Sequence, residues 1–337
     1  MACIAQELAS LPDTFLAFRR AERGFPDIDV VHVNELIDLP AALIARLHFK
    51  VPFIFHLRTS FRGTPPSRRA RIILWALRRT ASAVIAIDEN TKSTLPPDMT
   101  VDVIHNSLHV CDVEDRPIDH NRFNDSRPLV LGYVGNLLFS KGILELLKAI
   151  VELRKQRKDV RLEVFGGSIS QAKGPVRKII SGLGLSDDAS EAVRSFIEEH
   201  SLRDIVCLHG HVDDLGTVYP KIDVLVFPSI FDSPGRPIFE AAFYGVPSIA
   251  CLTQPKPDTF VDGETGVAIE ASDHRKIVSA ISAFHQNREQ VTRMGESARK
   301  LAQQNFNPDK NAARVLSIYA RVLKQHAKNE KDRRVEQ

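Results

Sequence analysis

The chain has no long apolar run and little cysteine. None of its apolar stretches approaches the roughly 20 residues that a helix needs to cross a bilayer. The N-terminal MACIAQELAS carries Glu7 where a cleavable leader requires an unbroken apolar segment. Both absences predict a protein of the cytoplasm. The four cysteines, Cys3, Cys111, Cys207 and Cys251, are far apart, and none lies at metal-ligand spacing from another. That suits a reducing compartment, predicts no structural zinc and leaves the cysteines as small buried hydrophobes. Low-complexity segments are missing, and acidic residues are absent from 51–87. The net charge of +3 is too small to indicate a partner without regard to where the charges lie.

What is present suits a globular protein. A length of 337 residues, 43% hydrophobic and 26% charged, is enough for two packed domains and too apolar for disorder. Short β-branched runs alternate with stretches of helical period. VVHV (30–33), PFIFHL (52–57), SAVIAI (82–87) and VDVIH (101–105) read as strands, with LPAALIARLHF (39–49) and RRARIILWALRRT (68–80) as helices between them. The polar stretch 112–128 interrupts the pattern as a linker. The alternation then restarts through LVLGYVG (129–135), VRLEVFGG (160–167), IVCLHG (205–210), DVLVFPS (223–229) and PSIACL (247–252). Strands apolar on both sides, alternating with helices, predict an α/β fold of two doubly wound, Rossmann-like domains facing across a cleft. The expected boundaries are 1–112 for a short first domain, 113–128 for the linker, 129–304 for the second domain and 305–327 for a C-terminal helix returning to the first. The tail KNEKDRRVEQ reads as a solvated, frayed end.

Two loops of the second domain carry chemistry. Gly135 ends a strand, and GNLLFSKG leads into a helix whose Ile143, Leu146, Leu147, Ile150 and Leu153 share one face. Glycine permits close backbone approach, the first amides of the helix are unpaired, and Lys141 adds a positive charge: together these make a phosphate site. In PSIFDSPGRPIFEAAFYGVPSIA (228–250), Asp232 lies in the loop after a buried strand, Pro237 opens a helix and Glu240 sits one turn into it. Two carboxylates spaced along a cleft suit a ligand with several hydroxyls, such as a sugar or a ribose.

With both loops read, the chain closely resembles the retaining glycosyltransferases of family 4, from about residue 29 to about 325. PSIFDSPGRPIFEAAFYGVPSIA resembles that family's PS-x-x-E-x7-E segment followed by A-x-x-x-G-x-P, and YVGNLLFSKGILELLKAI its V-G-R-L-x-x-x-K-G helix entry. FVDGETGV (260–267) is similar to its D-G-x-x-G turn, VIHNSLHV (103–110) to its hinge strand and FNPDKNAARVLSIYARVL (306–323) to its returning C-terminal helix. The resemblance implies the two-domain GT-B fold, a nucleoside-diphosphate-sugar donor, and no metal or other cofactor. It implies that Glu240 binds the ribose, Asp232 the donor-sugar hydroxyls, and Lys141, with Asn136 in place of the family's arginine, the diphosphate. His56 would lie near the donor sugar, Gly235 and Arg236 would present backbone amides to the sugar or phosphate, and Gly135 and Gly142 belong to the phosphate loop read above. Asp232 is one methylene shorter than the family's glutamate, and Asn136 lacks the arginine's charge, for which Arg236, Lys173 and Arg177 are candidate replacements. The family's first strand and glycine-rich loop have no counterpart before VVHV, so either the first domain is short or the chain begins inside a longer reading frame.

Other features carry plainer readings beside functional ones. Arg58, Arg62, Arg68, Arg69, Arg71, Arg78 and Arg79, with Trp75, suit an anionic membrane surface or a phosphorylated acceptor, and equally a core helix with solvated arginines. No nucleic-acid module accompanies them. Asp27-Ile28-Asp29 matches the acidic metal motif of another transferase class but enters a strand, and His105, His109, His209 and His211 read as loop or packing residues. Gly166 and Gly167 could approach a nucleotide or form a plain turn.

The expected activity is a retaining hexosyltransferase that uses a nucleotide-sugar donor and acts on a glycan or lipid-linked acceptor in envelope or exopolysaccharide synthesis, peripheral to the inner face of the membrane. The alternatives are a degenerate, non-catalytic sugar-nucleotide or partner-binding protein and a sugar-nucleotide epimerase.

Overall fold

The computed structural model describes residues 2–61, 68–108, 127–167 and 187–335. The chain divides into two compact units, Met1–Ser107 with Pro308–Gln337, and Leu108–Asn307.

The first unit opens with α1 (Ala2–Gly24). It continues through β1 (Val31–Val33), α2 (Leu39–His48), β2 (Phe53–Leu57), α3 (Arg68–Thr80), β3 (Ala81–Ala86), α4 (Glu89–Ser93) and β4 (Asp102–Val103). The strands pair in parallel in the order β1-β2-β3-β4. Strand β2 is buried on both faces because its residues alternate between two cores. Phe53, Phe55 and Leu57 pack with Leu39, Ala42 and Ala45 of α2 and with Ala76 and Leu77 of α3. Ile54, with Ile85 and Ile104, instead meets Ile318 and Val322 of the C-terminal helix.

The second unit contains β5 (Leu129–Val134), α5 (Ile143–Lys155), β6 (Val160–Phe165), α6 (Ser190–Glu199), β7 (Val206–Gly210), α7 (Leu215–Val218) and β8 (Val224–Phe227). It ends with α8 (Arg236–Phe243), β9 (Ser248–Cys251), β10 (Gly266–Ile269), α9 (His274–Gln286) and α10 (Glu289–Asn305). Its six parallel strands run β10-β9-β8-β5-β6-β7. Alternation again serves two cores. Leu129, Leu131 and Tyr133 of β5 and Val224 and Val226 of β8 face α5, α6 and α9, whereas Leu225 and Phe227 face Tyr219, Ile238 and Phe260. The chain leaves β5 toward β6 and β7, then returns to place β8 on the other side of β5. Ligands of open parallel sheets bind outside the carboxyl ends of the strands at such a reversal.

Two local expectations change. The tail is helical as far as Val335: α11 (Pro308–Val335) runs into it, solvent-exposed as expected, since the segment has no glycine or internal proline to stop a helix and carries Gln325–Asn329 and His326–Glu330 pairs four residues apart. Strand β10 also escaped the sequence reading, because GVAI follows directly on a turn motif. The linker residues 113–126, together with Arg62, His109, Cys111, Lys173 and Arg177, lie outside the described residues. Of the cysteines, Cys251 is buried and Cys207 only partly so. Among the described residues, no helix is long and apolar enough to cross a membrane.

Candidate functional site

Both chemistry-bearing loops of the second unit lie at its topological reversal, one after β5 and one after β8. The β5 loop is shaped by glycine. Gly135 has φ 146°, and Gly166, at the end of β6, packs so closely that a Cβ there would lie 1.8 Å from the Gly135 carbonyl oxygen. Leu137 N donates to the Gly167 carbonyl at 3.1 Å, so the Gly166-Gly167 pair supports the loop. The Asn136 side chain is exposed, while its carbonyl accepts from the Tyr133 hydroxyl at 2.8 Å. A single 3₁₀ turn, Phe139–Lys141, then ends at Gly142 with φ 72°, where a Cβ would meet the Pro228 carbonyl oxygen at 1.9 Å. Gly142 therefore lets the β5 loop touch the β8 loop, and Ile230 N donates to the Ser140 carbonyl at 3.1 Å across the same junction.

Lys141 stands at this junction immediately before α5. Its Nζ lies 5.4 Å from the Phe227 ring centroid and 5.7 Å from that of Phe231. Burial lowers its pKa, and Asp187 partly offsets the effect. Asp187 accepts from Ser140 N at 2.9 Å and from the Ser140 hydroxyl. The ammonium is thus held by aromatic faces and one nearby carboxylate beside the open amides of α5, an arrangement that favours a dense anion.

The paired carboxylates differ in burial. Glu240 is buried within α8, where Tyr219 Oη donates to its Oε2 at 2.7 Å and Arg236 Nε lies 2.6 Å from its Oε1. Burial and the adjacent Glu240 raise the Tyr219 pKa well above its ordinary value, so the phenol stays a donor. Tyr219 in turn stacks on Tyr244 with centroids 5.3 Å apart. A buried carboxylate requires such partners, and each oxygen keeps a second lone pair for a ligand hydroxyl. Asp232 is exposed and accepts from Thr253 N at 2.8 Å, which ties its loop to the end of β9. Gly235 is the N-cap of α8 and lies against the Phe227 ring, where a Cβ would approach to 2.3 Å. Arg236, considered above as a replacement cation, is bound to Glu240, which removes part of its charge from any diphosphate.

His56 belongs to the first unit, where it borders a cavity of about 620 Å³ at the carboxyl ends of β1, β2 and β4. Its ring centroid is 5.5 Å from that of His32, whose Nδ1 lies 2.6 Å from the Tyr319 hydroxyl of α11. Burial, then Arg58, then His32 lower the His56 pKa to about 4, against a hydrogen bond to the Ile104 backbone. Arg58 donates to Asn106 Oδ1 at 2.8 Å and to Asn34 Oδ1 at 3.3 Å. This corrects the sequence grouping, which placed Arg58 in one patch with the α3 arginines: it lines the cavity, turned there by the two asparagine carbonyls.

Several participants escaped the sequence reading. Tyr219 and Asp187 lie far along the chain from the groups they hold, and no motif marks them. His209 packs as expected, stacked on Phe165 with centroids 4.4 Å apart, and in addition its Nε2 lies 2.5 Å from Glu163 Oε2, with Cys207 completing a cluster whose ligand atoms all fall within 4.8 Å. Spacing along one segment misses this because Glu163 and Cys207 are register partners on neighbouring strands. The Glu163 carboxylate is shared with Arg161, whose Nε lies 2.6 Å from Oε1, so its charge already has a cationic partner.

Comparison with known proteins agrees with this arrangement. Residues 115–301 match the family described as Glycosyl transferases group 1, and residues 4–109 match Glycosyltransferase Family 4. The capsular polysaccharide biosynthesis glycosyltransferase CapM of Staphylococcus aureus is 25% identical over 257 residues, a match covering 73% of this chain and 63% of that protein, just under two thirds of its length. The D-inositol 3-phosphate glycosyltransferase of Corynebacterium efficiens is 24% identical over 342 residues, covering 94% of this chain and 76% of the relative. Anabaena HepE, solved with UDP and glucose, superposes with a TM-score of 0.71 at 18% identity, over 92% of this chain and 81% of its own, which establishes a shared GT-B fold. Because the group 1 match alone covers more than half of the chain and takes in both loops at the reversal of the six-stranded sheet, the protein belongs to the group 1 glycosyl transferases.

Proposed function

We propose that the protein transfers a hexosyl group from a nucleoside-diphosphate sugar to a hydroxyl of a glycan or lipid-linked acceptor in envelope or exopolysaccharide synthesis, with retention at the anomeric carbon. The observation that carries this reading is Lys141, half-buried on two aromatic rings at the start of α5. In the reaction the anomeric C–O bond to the diphosphate breaks, a bond to the acceptor oxygen forms, and the acceptor's hydroxyl proton passes to the leaving diphosphate. Negative charge builds on the leaving diphosphate, and the Lys141 ammonium with the first amides of α5 and α8 stabilises it. Glu240 takes hydroxyls of the ribose, and Asp232 takes hydroxyls of the sugar. No residue acts as a covalent nucleophile, and the reading calls for no metal or other cofactor. Calorimetric titration with UDP, GDP and ADP tests it: one nucleotide should bind, and Glu240→Ala should abolish that binding. Unchanged affinity in the variant would remove Glu240 from the donor site.

The same reading places the protein at the inner, anionic face of the cell membrane through α3. Arg68, Ile72, Trp75 and Arg79 recur along one exposed stripe, with Ile72 66% and Trp75 57% accessible and the Arg79 guanidinium 4.8 Å from the Trp75 ring. Co-sedimentation with vesicles should rise with their anionic lipid content, and indifference to it would argue against the assignment.

A second reading is supported by the partners of the carboxylates. Glu240 is held by Tyr219 and Arg236, and Asp232 by Thr253, so a non-catalytic sugar-nucleotide binder is also consistent. It would bind nucleotide and hydrolyse or transfer nothing in the presence of candidate acceptors.

A further inference from the structure

We propose that the cavity of the first unit receives a phosphoryl group carried by the acceptor, with Arg58 as its anchor and His32 and His56 beside it. This rests on the reading of the chain as a transferase whose donor is held by the second unit. The described residues that line the cavity include Arg58, histidines, asparagines and Tyr319, with no aspartate or glutamate among them.

Arg58 is fixed but not neutralised by its side-chain partners. Its guanidinium meets only amide oxygens, those of Asn34 and Asn106, among the hydrogen bonds of the described residues. The Glu35 carboxylate instead accepts from the Arg58 backbone amide at 3.2 Å and from Leu36 N at 2.8 Å. Two neutral acceptors therefore orient a planar, fully charged fork, which is the form in which arginine recognises phosphate.

The histidines point the same way. His56 is only 7% accessible, and among the described residues the Nε2 atoms of His56 and His32 are buried without a hydrogen-bond partner. A buried polar atom without a partner is costly, and a ligand group relieves that cost. The Tyr319 hydroxyl lies 2.6 Å from His32 Nδ1 and occupies that nitrogen, which leaves Nε2 as the ring atom to meet a ligand. Burial, then the charge on Arg58 and then the neighbouring ring lower the His56 pKa. An anion beside the ring opposes the Arg58 contribution and favours the protonated form of His56. A neutral sugar would satisfy the asparagines and leave the arginine charge unmatched.

The test uses the full chain with isotope-labelled histidine rings and four probes: inorganic phosphate, glucose 6-phosphate, glucose, and vesicles containing phosphatidic acid. Glucose 6-phosphate should shift the His32 and His56 ring signals and raise the His56 pKa, whereas glucose should not. A response to glucose 6-phosphate assigns a soluble phosphorylated acceptor, and a response to the vesicles alone assigns a lipid headgroup; both support the proposal. Arg58→Gln should weaken the response about tenfold, and Asn106→Asp, which supplies the guanidinium with a carboxylate while keeping Arg58, should weaken it about as much. UDP affinity, which reports the second unit, should be unchanged in both variants. Equal responses to glucose and glucose 6-phosphate, or a phosphate response that survives both substitutions, would overturn the assignment. Loss of all UDP binding with the phosphate response intact would overturn the transferase reading and leave the cavity assignment standing.

Discussion

The two units hold their functional groups by different means. In the second unit the backbone does most of the positioning: Gly142 at φ 72° and Gly166 against the Gly135 carbonyl let the loops after β5, β6 and β8 touch, and Lys141 follows from that contact. In the first unit side chains position one another, with Asn34 and Asn106 on Arg58, Tyr319 on His32 and His56 beside them. A site built on backbone contacts depends on a few glycines. A site built on side chains depends on their mutual charge, and its behaviour should therefore follow pH.

The largest expected effect tests the backbone half of this contrast. Gly142→Ala forces a β-carbon into the left-handed region and into the Pro228 carbonyl, and it should cost about 4 kcal/mol in chemical denaturation of the second unit. Gly167→Ala, with nothing within 4 Å of its Cβ position, is the control and should be nearly silent.

The side-chain half is tested by pH. The folded His56 pKa of about 4 lies below the unfolded value of 6.5, so the unfolded chain binds more protons between those values. Stability of the first unit is thus complete above pH 6.5 and is lost as pH falls toward 4, by up to about 3 kcal/mol from this residue. Amide exchange of Phe53–Leu57 across that window would measure it, and His56→Gln should flatten the profile.

A smaller effect separates charge from fold at the second site. Lys141→Ala should weaken nucleoside-diphosphate binding by about 2 kcal/mol while leaving the unfolding midpoint in place, because the loop is held by Gly142 and Ser140 rather than by the ammonium. The smallest concerns the exposed stripe of α3. Trp75→Ala should change stability by less than about 0.5 kcal/mol and yet reduce sedimentation with anionic vesicles.

The glycine-dependent site was the more legible of the two in the sequence. Gly135, Lys141, Gly142, Asp232, Pro237 and Glu240 lie in two short segments, and each sits where a strand ends and a helix begins. Local chemistry was enough to mark them. The partners that define the site were not legible: Tyr219 reaches Glu240 from 21 positions away, Asp187 reaches Ser140 from 47, and nothing in their own neighbourhoods signals a role. Arg58 shows the opposite failure, since its neighbours in sequence suggested a surface patch while its neighbours in space make it part of a cavity.

By itself, the sequence determined the α/β alternation, the two parallel sheets and the loops that carry charge, because periodicity, glycine and proline act over a few residues. Only the tertiary structure decided that Glu240 is buried and shared, that Glu163, Cys207 and His209 meet across a strand pair, and that α11 brings Tyr319 to His32. Those contacts depend on strand order and register, which long-range packing selects and which no local pattern encodes.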